Sequence, residues 1–221
     1  MVGPYEEQNA FHEANLRDFY EKLFGSSSIP DNLISEEWKS IGFQGKNPRT
    51  DFWGGGFLSL MSLRYMLVNY PGYFNEMRTN NLEDSFFFAI SSINVTHMIV
   101  VYLRMNKADV PNENKRILAN RSQFKTFCKL NCFSKKTFFE LQSFTTIVLY
   151  YLWMIARKES LSKNSLLLEK FQSVMNKAKV ELGQLLNDSR LGDLSDLRIK
   201  IDQRLRNLYK IVSQWPGCLN I

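Results

Sequence analysis

Apolar residues recur at every third or fourth position along most of this chain, and that period decides its fold class. Leu167, Phe171, Val174, Ala178, Leu182 and Leu185 form one such series, and Leu197, Ile201, Leu205, Leu208 and Ile211 or Val212 form another. At 3.6 residues per turn each series lies on one helical face. Phe11, Leu16, Phe19, Tyr20 and Leu23 share a face of a segment over roughly 5–24 that GSSSIP interrupts, and Phe57, Leu60, Met61, Leu67 and Val68 repeat the pattern until NYPG. Ser35, followed by Glu36 and Glu37, reads as the cap of a short helix through Trp38 that Gly42 ends. Further helices are predicted over roughly 82–105, 115–130, 135–157, 165–188 and 194–213. No two-residue turn of the Asn-Gly type separates alternating runs, so the predicted fold is all-α: a single compact domain of roughly eight helices with a glycine-rich functional loop.

Two apolar runs bear on membrane insertion. Phe86 to Leu103 carries no formal charge but includes Ser91, Ser92, Asn94, Thr96 and His97, and Phe144 to Ala156 is flanked by Glu140 and Arg157. A transmembrane helix needs about 20 mostly apolar residues, so both runs are predicted to be buried central helices.

Charge is unevenly distributed. Residues 1–60 hold five Lys/Arg against nine Asp/Glu, while the rest of the chain holds 23 against 13. Between Arg104 and Lys136 nine cations (Arg104, Lys107, Lys115, Arg116, Arg121, Lys125, Lys129, Lys135 and Lys136) meet only Asp109 and Glu113. Such a stretch is either the solvated face of ordinary helices or a patch facing an acidic surface, including acidic lipid. No module that reads nucleic acid is recognisable, and none is expected as a partner. Three cysteines, an odd number, behind an acidic and polar opening predict free thiols at Cys128, Cys132 and Cys218 and a cytoplasmic setting, with cytoskeletal or membrane association allowed.

Catalytic and cofactor signals are weak. Cys128 and Cys132 are four apart, but His12 and His97 do not complete a zinc set, and no metal site is predicted. His97, inside an apolar run, is read as a core histidine bonded to a backbone or side-chain acceptor. The triple glycine at 54–56 lacks the Lys-Ser/Thr of a P-loop and the spacing of a dinucleotide site, so no cofactor is expected.

The stretch from Trp38 to Gly56, WKSIGFQGKNPRTDFWGGG, carries two tryptophans, five glycines and a proline between helical segments. Loops of such composition are shaped, and shaped loops often carry function. This stretch, with the following FLSLMSLRYM, resembles the signature of the ELMO (engulfment and cell motility) domain. The resemblance rests on Trp38, Gly42, Phe43, Gln44, Gly45, Pro48, Thr50, Asp51, Phe52, Gly54, Gly56 and Leu60, and it continues weakly through AISSINVTHMI and SKKTFFEL. It places an ELMO domain over about 35–190, preceded by an N-terminal helix and linker over 1–34 and followed by a basic amphipathic helix over 191–221 that packs on the same domain.

What the resemblance implies is an all-helical domain that engages small GTPases. Short members of the family look like GTPase-activating proteins for the Arf and Arf-like GTPases, using an arginine in Asp-Phe-Arg-Gly; here Trp53 occupies that position. An arginine finger is worth about 10³–10⁵ in rate, and an indole N–H, a single neutral donor, cannot answer charge developing on phosphate oxygens. Arg49 is the candidate replacement. The candidate partner-binding residues are Trp38, Gly42, Phe43, Gln44, Gly45, Pro48, Arg49, Thr50, Asp51, Trp53, Gly54 and Gly56. For Thr50 and Asp51 a hydrogen bond within the loop is the competing role, and for Trp53 a ring folded back on the helix at Phe57–Val68. Three functions follow as expectations: a non-catalytic module that binds an Arf-like GTPase or sits in a larger cytoskeletal or ciliary assembly; an active GTPase-activating protein using Arg49 or another arginine; and a peripheral membrane adaptor using the patch at 104–136.

Overall fold

Trp38 is fully buried, and the first half of the chain is organised around it. In the computed structural model, which describes residues 3–25, 29–79, 86–106, 118–163 and 168–214, the chain divides into two compact units, residues 1–108 and 109–221. The described residues form nine α-helices and one 3₁₀ turn, and no strand occurs among them.

In the first unit, α1 (Ala10–Phe24) begins later than the apolar pattern suggests, because Asn9 caps it: its Oδ1 accepts from the amides of Phe11 at 3.0 Å and His12 at 3.4 Å. The short α2 (Glu37–Ser40) follows, with Ser35 Oγ accepting from the Glu37 amide at 3.2 Å. Trp38 projects from it into a cage of Phe19, Tyr20, Phe24 and Phe43, with ring centroids 5.2–6.0 Å away, and its indole N–H donates to Leu33 O at 2.9 Å. The buried ring therefore leaves no polar atom unsatisfied.

A 3₁₀ turn (Pro48–Asp51) leads to α3 (Gly56–Asn69), which packs on α1, on α4 (Pro71–Thr79) and on α5 (Phe88–Tyr102). The sequence predicts the stop at NYPG but not α4. Pro71 ends one helix and starts the next, since at a first helical position its missing N–H costs nothing and its φ is already helical. Helix α5 has no side-chain cap; instead the amides of Ala89 and Ile90 donate to Ile41 O (2.9 Å) and Gly42 O (3.3 Å). Those two bonds fix α5 against the start of the glycine-rich loop.

In the second unit α6 (Arg121–Phe133) opens with a capping box between Asn120 and Gln123 and packs on α7 (Thr137–Lys163) and α8 (Leu168–Leu186); α9 (Leu194–Ser213), capped by Asp193, packs on α7. The predicted stripes are buried at Val174, Ala178, Leu182 and Leu185, and at Leu197, Ile201 and Leu205, whereas Leu167 lies outside the described residues. At the end of α9, Val212 is buried and Ile211 is exposed. Glu140 of α7, fully buried, accepts from Arg198 Nε of α9 at 2.7 Å.

The apolar part of α7 is longer than the run at 144–156: Thr137–Glu159 is long and apolar enough to cross a membrane, but 83% of its most apolar window is buried inside the protein. It is a core helix, as predicted. Cys128 and Cys132 are free thiols, and Cys218 lies outside the described residues. Of the basic stretch, Lys107, Lys115 and Arg116 also lie outside them.

Candidate functional site

The loop between α2 and α3 is held by its own side chains. Asn47 Oδ1 accepts from the Arg49 amide at 3.2 Å and caps the 3₁₀ turn, and Thr50 Oγ1 donates back to Asn47 O at 2.9 Å. Asp51, 4% exposed, reaches across the loop to accept from the Gln44 amide at 2.9 Å. Burial pushes its carboxyl above the ordinary range, against the pull of the Gln44 and Thr50 hydrogen bonds. Asp51 and Thr50 thus take the loop-internal roles that compete with partner contact.

Phe52 points inward, fully buried, stacked on Tyr5 at 5.1 Å and edge-on to Phe43 at 5.8 Å. The next residue turns the other way: Trp53 is 86% exposed. Its ring does not fold back on α3. The loop carbonyl beside it is anchored, because His97 Nδ1–H donates to Gly54 O at 2.5 Å. His97 is itself exposed, which corrects the core placement expected for it; its backbone acceptor is the one feature of that expectation that holds. The hydrogen bond also fixes the tautomer, with the proton on Nδ1.

Two glycines are demanded by the geometry. Gly56 has φ +60°, and a Cβ there would lie 1.9 Å from Gly3 O; a Cβ on Gly55 would lie 2.1 Å from Ser59 Oγ and 3.1 Å from Thr96 of α5. The Gly3–Pro4 segment crosses this point, with Gly3 O accepting from the Phe57 amide at 3.2 Å. Together with Trp53–Gly56, Val100 and Asn106 it lines a cleft of about 300 Å³. No local pattern in the sequence marks Gly3, Pro4, Val100 or Asn106 as neighbours of this loop.

Arg49, the candidate finger, is engaged within the protein. Its side chain is only 9% exposed and forms a two-pronged ion pair with Glu13 of α1, the Nε–Oε1 arm being 2.8 Å; it also donates to Asn32 O at 3.0 Å and Asn47 Oδ1 at 3.2 Å. The Arg49 hydrogen bond holds the Glu13 carboxyl below the ordinary carboxylate range, helped by Tyr5, whose hydroxyl donates to Oε1 at 2.8 Å. Arg64 is likewise engaged, with Asn15 and Asp18 of α1. Both guanidiniums fasten the loop and α3 to α1.

The twelve candidate partner residues therefore divide. Trp38, Gly42, Phe43, Pro48, Asp51 and Gly56 are buried, and Arg49 is held by Glu13. They shape the loop. Gln44, Thr50 and Trp53 are exposed, and Gly45 and Gly54 are half-exposed.

Sequence comparison agrees with this frame. A family model described as the ELMO/CED-12 family matches residues 1–168, a span that takes in α1 and ends at the start of α8. The chain is 36% identical over 103 residues to mouse ELMO domain-containing protein 2, covering 46% of this chain and 35% of that protein. It is 33% identical over 132 residues to ELMO domain-containing protein B of Dictyostelium discoideum, covering 58% and 43%, and 33% identical over 103 residues to human ELMO domain-containing protein 3, covering 45% and 27%. The matched region thus spans less than half the length of each of these relatives. No solved structure matches. With the family signature folded into one buried frame around Trp38 and a match over most of its length, this chain belongs to the ELMO/CED-12 family.

Proposed function

We propose that the chain is an interaction module that binds or regulates a small GTPase of the Arf or Arf-like family through the loop tip at Trp53, without an arginine finger of its own. The supporting observation is the pairing of Trp53, 86% exposed at the position the family arginine would hold, with Arg49, 9% exposed and engaged by Glu13. A large flat ring standing in solvent beside a cleft is suited to contact, whereas a guanidinium already holding two carboxylate oxygens would have to break that pair before stabilising a transferring phosphoryl group. Incorporation into a cytoskeletal or ciliary assembly uses the same exposed tip in this reading.

The test is single-turnover GTP hydrolysis by Arf-family GTPases, with binding measured in parallel in both nucleotide states. Wild type should bind without accelerating hydrolysis, and Trp53→Ala should weaken binding. Trp53→Arg should restore part of the ~10³–10⁵ that a finger supplies, and far less than all of it, because a misplacement of about 1 Å can cost ~10²-fold. If wild type accelerates hydrolysis and Arg49→Ala abolishes this without weakening binding, the catalytic reading through Arg49 replaces ours. Arg104, exposed on the turn after α5 and four residues beyond Val100 in the cleft wall, is the next arginine to substitute if Arg49→Ala has no effect on an active wild type.

A further inference from the structure

Helix α6 presents two different faces. Gln123, Phe127 and Leu130 are buried, and Gln123 Nε2 donates to Gly183 O of α8 at 3.0 Å, which seats that side of the helix on its neighbour. The other side carries Arg121, Lys125 and Lys129, and the turn into α7 adds Lys135 and Lys136, all exposed. From 118 to 139 the chain contains no Asp or Glu, and none of the described ion pairs engages these five cations. Lys129 Nζ donates to Leu191 O at 3.2 Å, which holds its charge near the rim of the face.

Set among these cations are apolar side chains in water. Phe133 is 71% exposed and Phe124 is 41% exposed, with the exposed Cys132 beside them. Nothing in the second unit's described packing covers this face. We propose that the outward face of α6, continued through Ser134 to Lys136, docks on an anionic lipid surface.

Charge complementarity selects an acidic partner, and the phenylalanines select among acidic partners. The cations are strung along the helix instead of converging on one point, so they match a plane of headgroups better than a single phosphate site. Phe124 and Phe133, on the two flanks of the cations, carry no hydrogen-bonding group and gain by leaving water for the headgroup region. None of the residues this proposal rests on belongs to the loop at Trp53, so its test is separate from that of GTPase binding.

The test uses the full chain and vesicles of phosphatidylcholine, alone or mixed with phosphatidylserine. Co-sedimentation should occur with the mixed vesicles only, and should fall at least tenfold when salt is raised from about 0.1 M to about 1 M, which shortens the screening length from ~10 Å to ~3 Å. Each cation near such a surface is worth roughly fivefold in binding, so Lys125→Ala/Lys136→Ala should weaken it about 25-fold. These side chains are exposed, and an unchanged helical spectrum checks that the variant is folded. A polarity-sensitive probe on Cys132, with Cys128 and Cys218 replaced by serine, should shift to the blue on mixed vesicles, and Phe133→Ser should reduce both the shift and the binding. No binding to mixed vesicles, equal binding to neutral ones, or binding that the lysine variant leaves unchanged would each overturn the proposal. Binding to a short single-stranded oligonucleotide with no vesicle binding would assign the face to nucleic acid instead.

Discussion

Replacing Arg49 with alanine should destabilise the first unit by about 2–3 kcal/mol, a figure that follows from what the side chain holds. Removing one member of a buried ion pair costs ~3–5 kcal/mol, because the other charge is left without its partner in a poor solvent. Here Arg49 is 9% exposed but the Glu13 side chain is 28% exposed, and Glu13 keeps its hydrogen bond from Tyr5. The abandoned carboxylate is thus partly rehydrated, which places the cost at or below the lower end of that range. Urea unfolding followed by tryptophan emission is the assay, because buried Trp38 sits in the same unit as the pair. With m of about 1–3 kcal/mol/M, the midpoint should drop by on the order of 1 M with m unchanged. A double-mutant cycle with Glu13→Gln should return a coupling of ~1–3 kcal/mol. A loss under ~0.5 kcal/mol with no coupling would refute the reasoning: the pair would then behave as an exposed one, and Arg49 would be at liberty to leave the loop.

Gly56→Ala should cost more than the ~1–2 kcal/mol of a left-handed alanine, because the new Cβ would also meet Gly3 O, 1.9 Å away, and must displace the Gly3–Pro4 segment; differential unfolding of the variant checks this. The acid limb of stability should carry the Glu13 pair. Since the folded carboxyl is held below its usual 4.5, its contribution is fully present above that pH and is lost as pH falls through the depressed value, so wild type and Glu13→Gln should converge in stability in acid. Asp51 has the opposite sign. Burial raises its folded value above the usual 3.8, so its contribution is largest at low pH and falls as pH rises through the folded value.

Helix content was legible in the sequence because the burial of a helical face repeats locally, every three or four residues. The stripes of α8 and α9 are read from that period alone, and the all-α class from the period together with the lack of hairpin turns of the Asn-Gly type. Where local signals conflict, the reading failed: Pro71 looked like a terminator and is also an initiator, and the start of α1 was set by the cap at Asn9, not by the apolar pattern. The ELMO signature was equally legible, since a string of glycines, aromatics and Asn-Pro-Arg-Thr-Asp is a local property. The roles within it were not. Trp38 and Trp53 are the same residue type in the same loop region, yet one is fully buried and the other 86% exposed, because burial depends on what packs against a side chain from elsewhere in the chain. Arg49 is taken up by Glu13, 36 residues away, and Gly54 O by His97, 43 residues away. Local composition determined that there would be a shaped loop between helices; only the long-range contacts of α1 and α5 decided which of its side chains were left facing water.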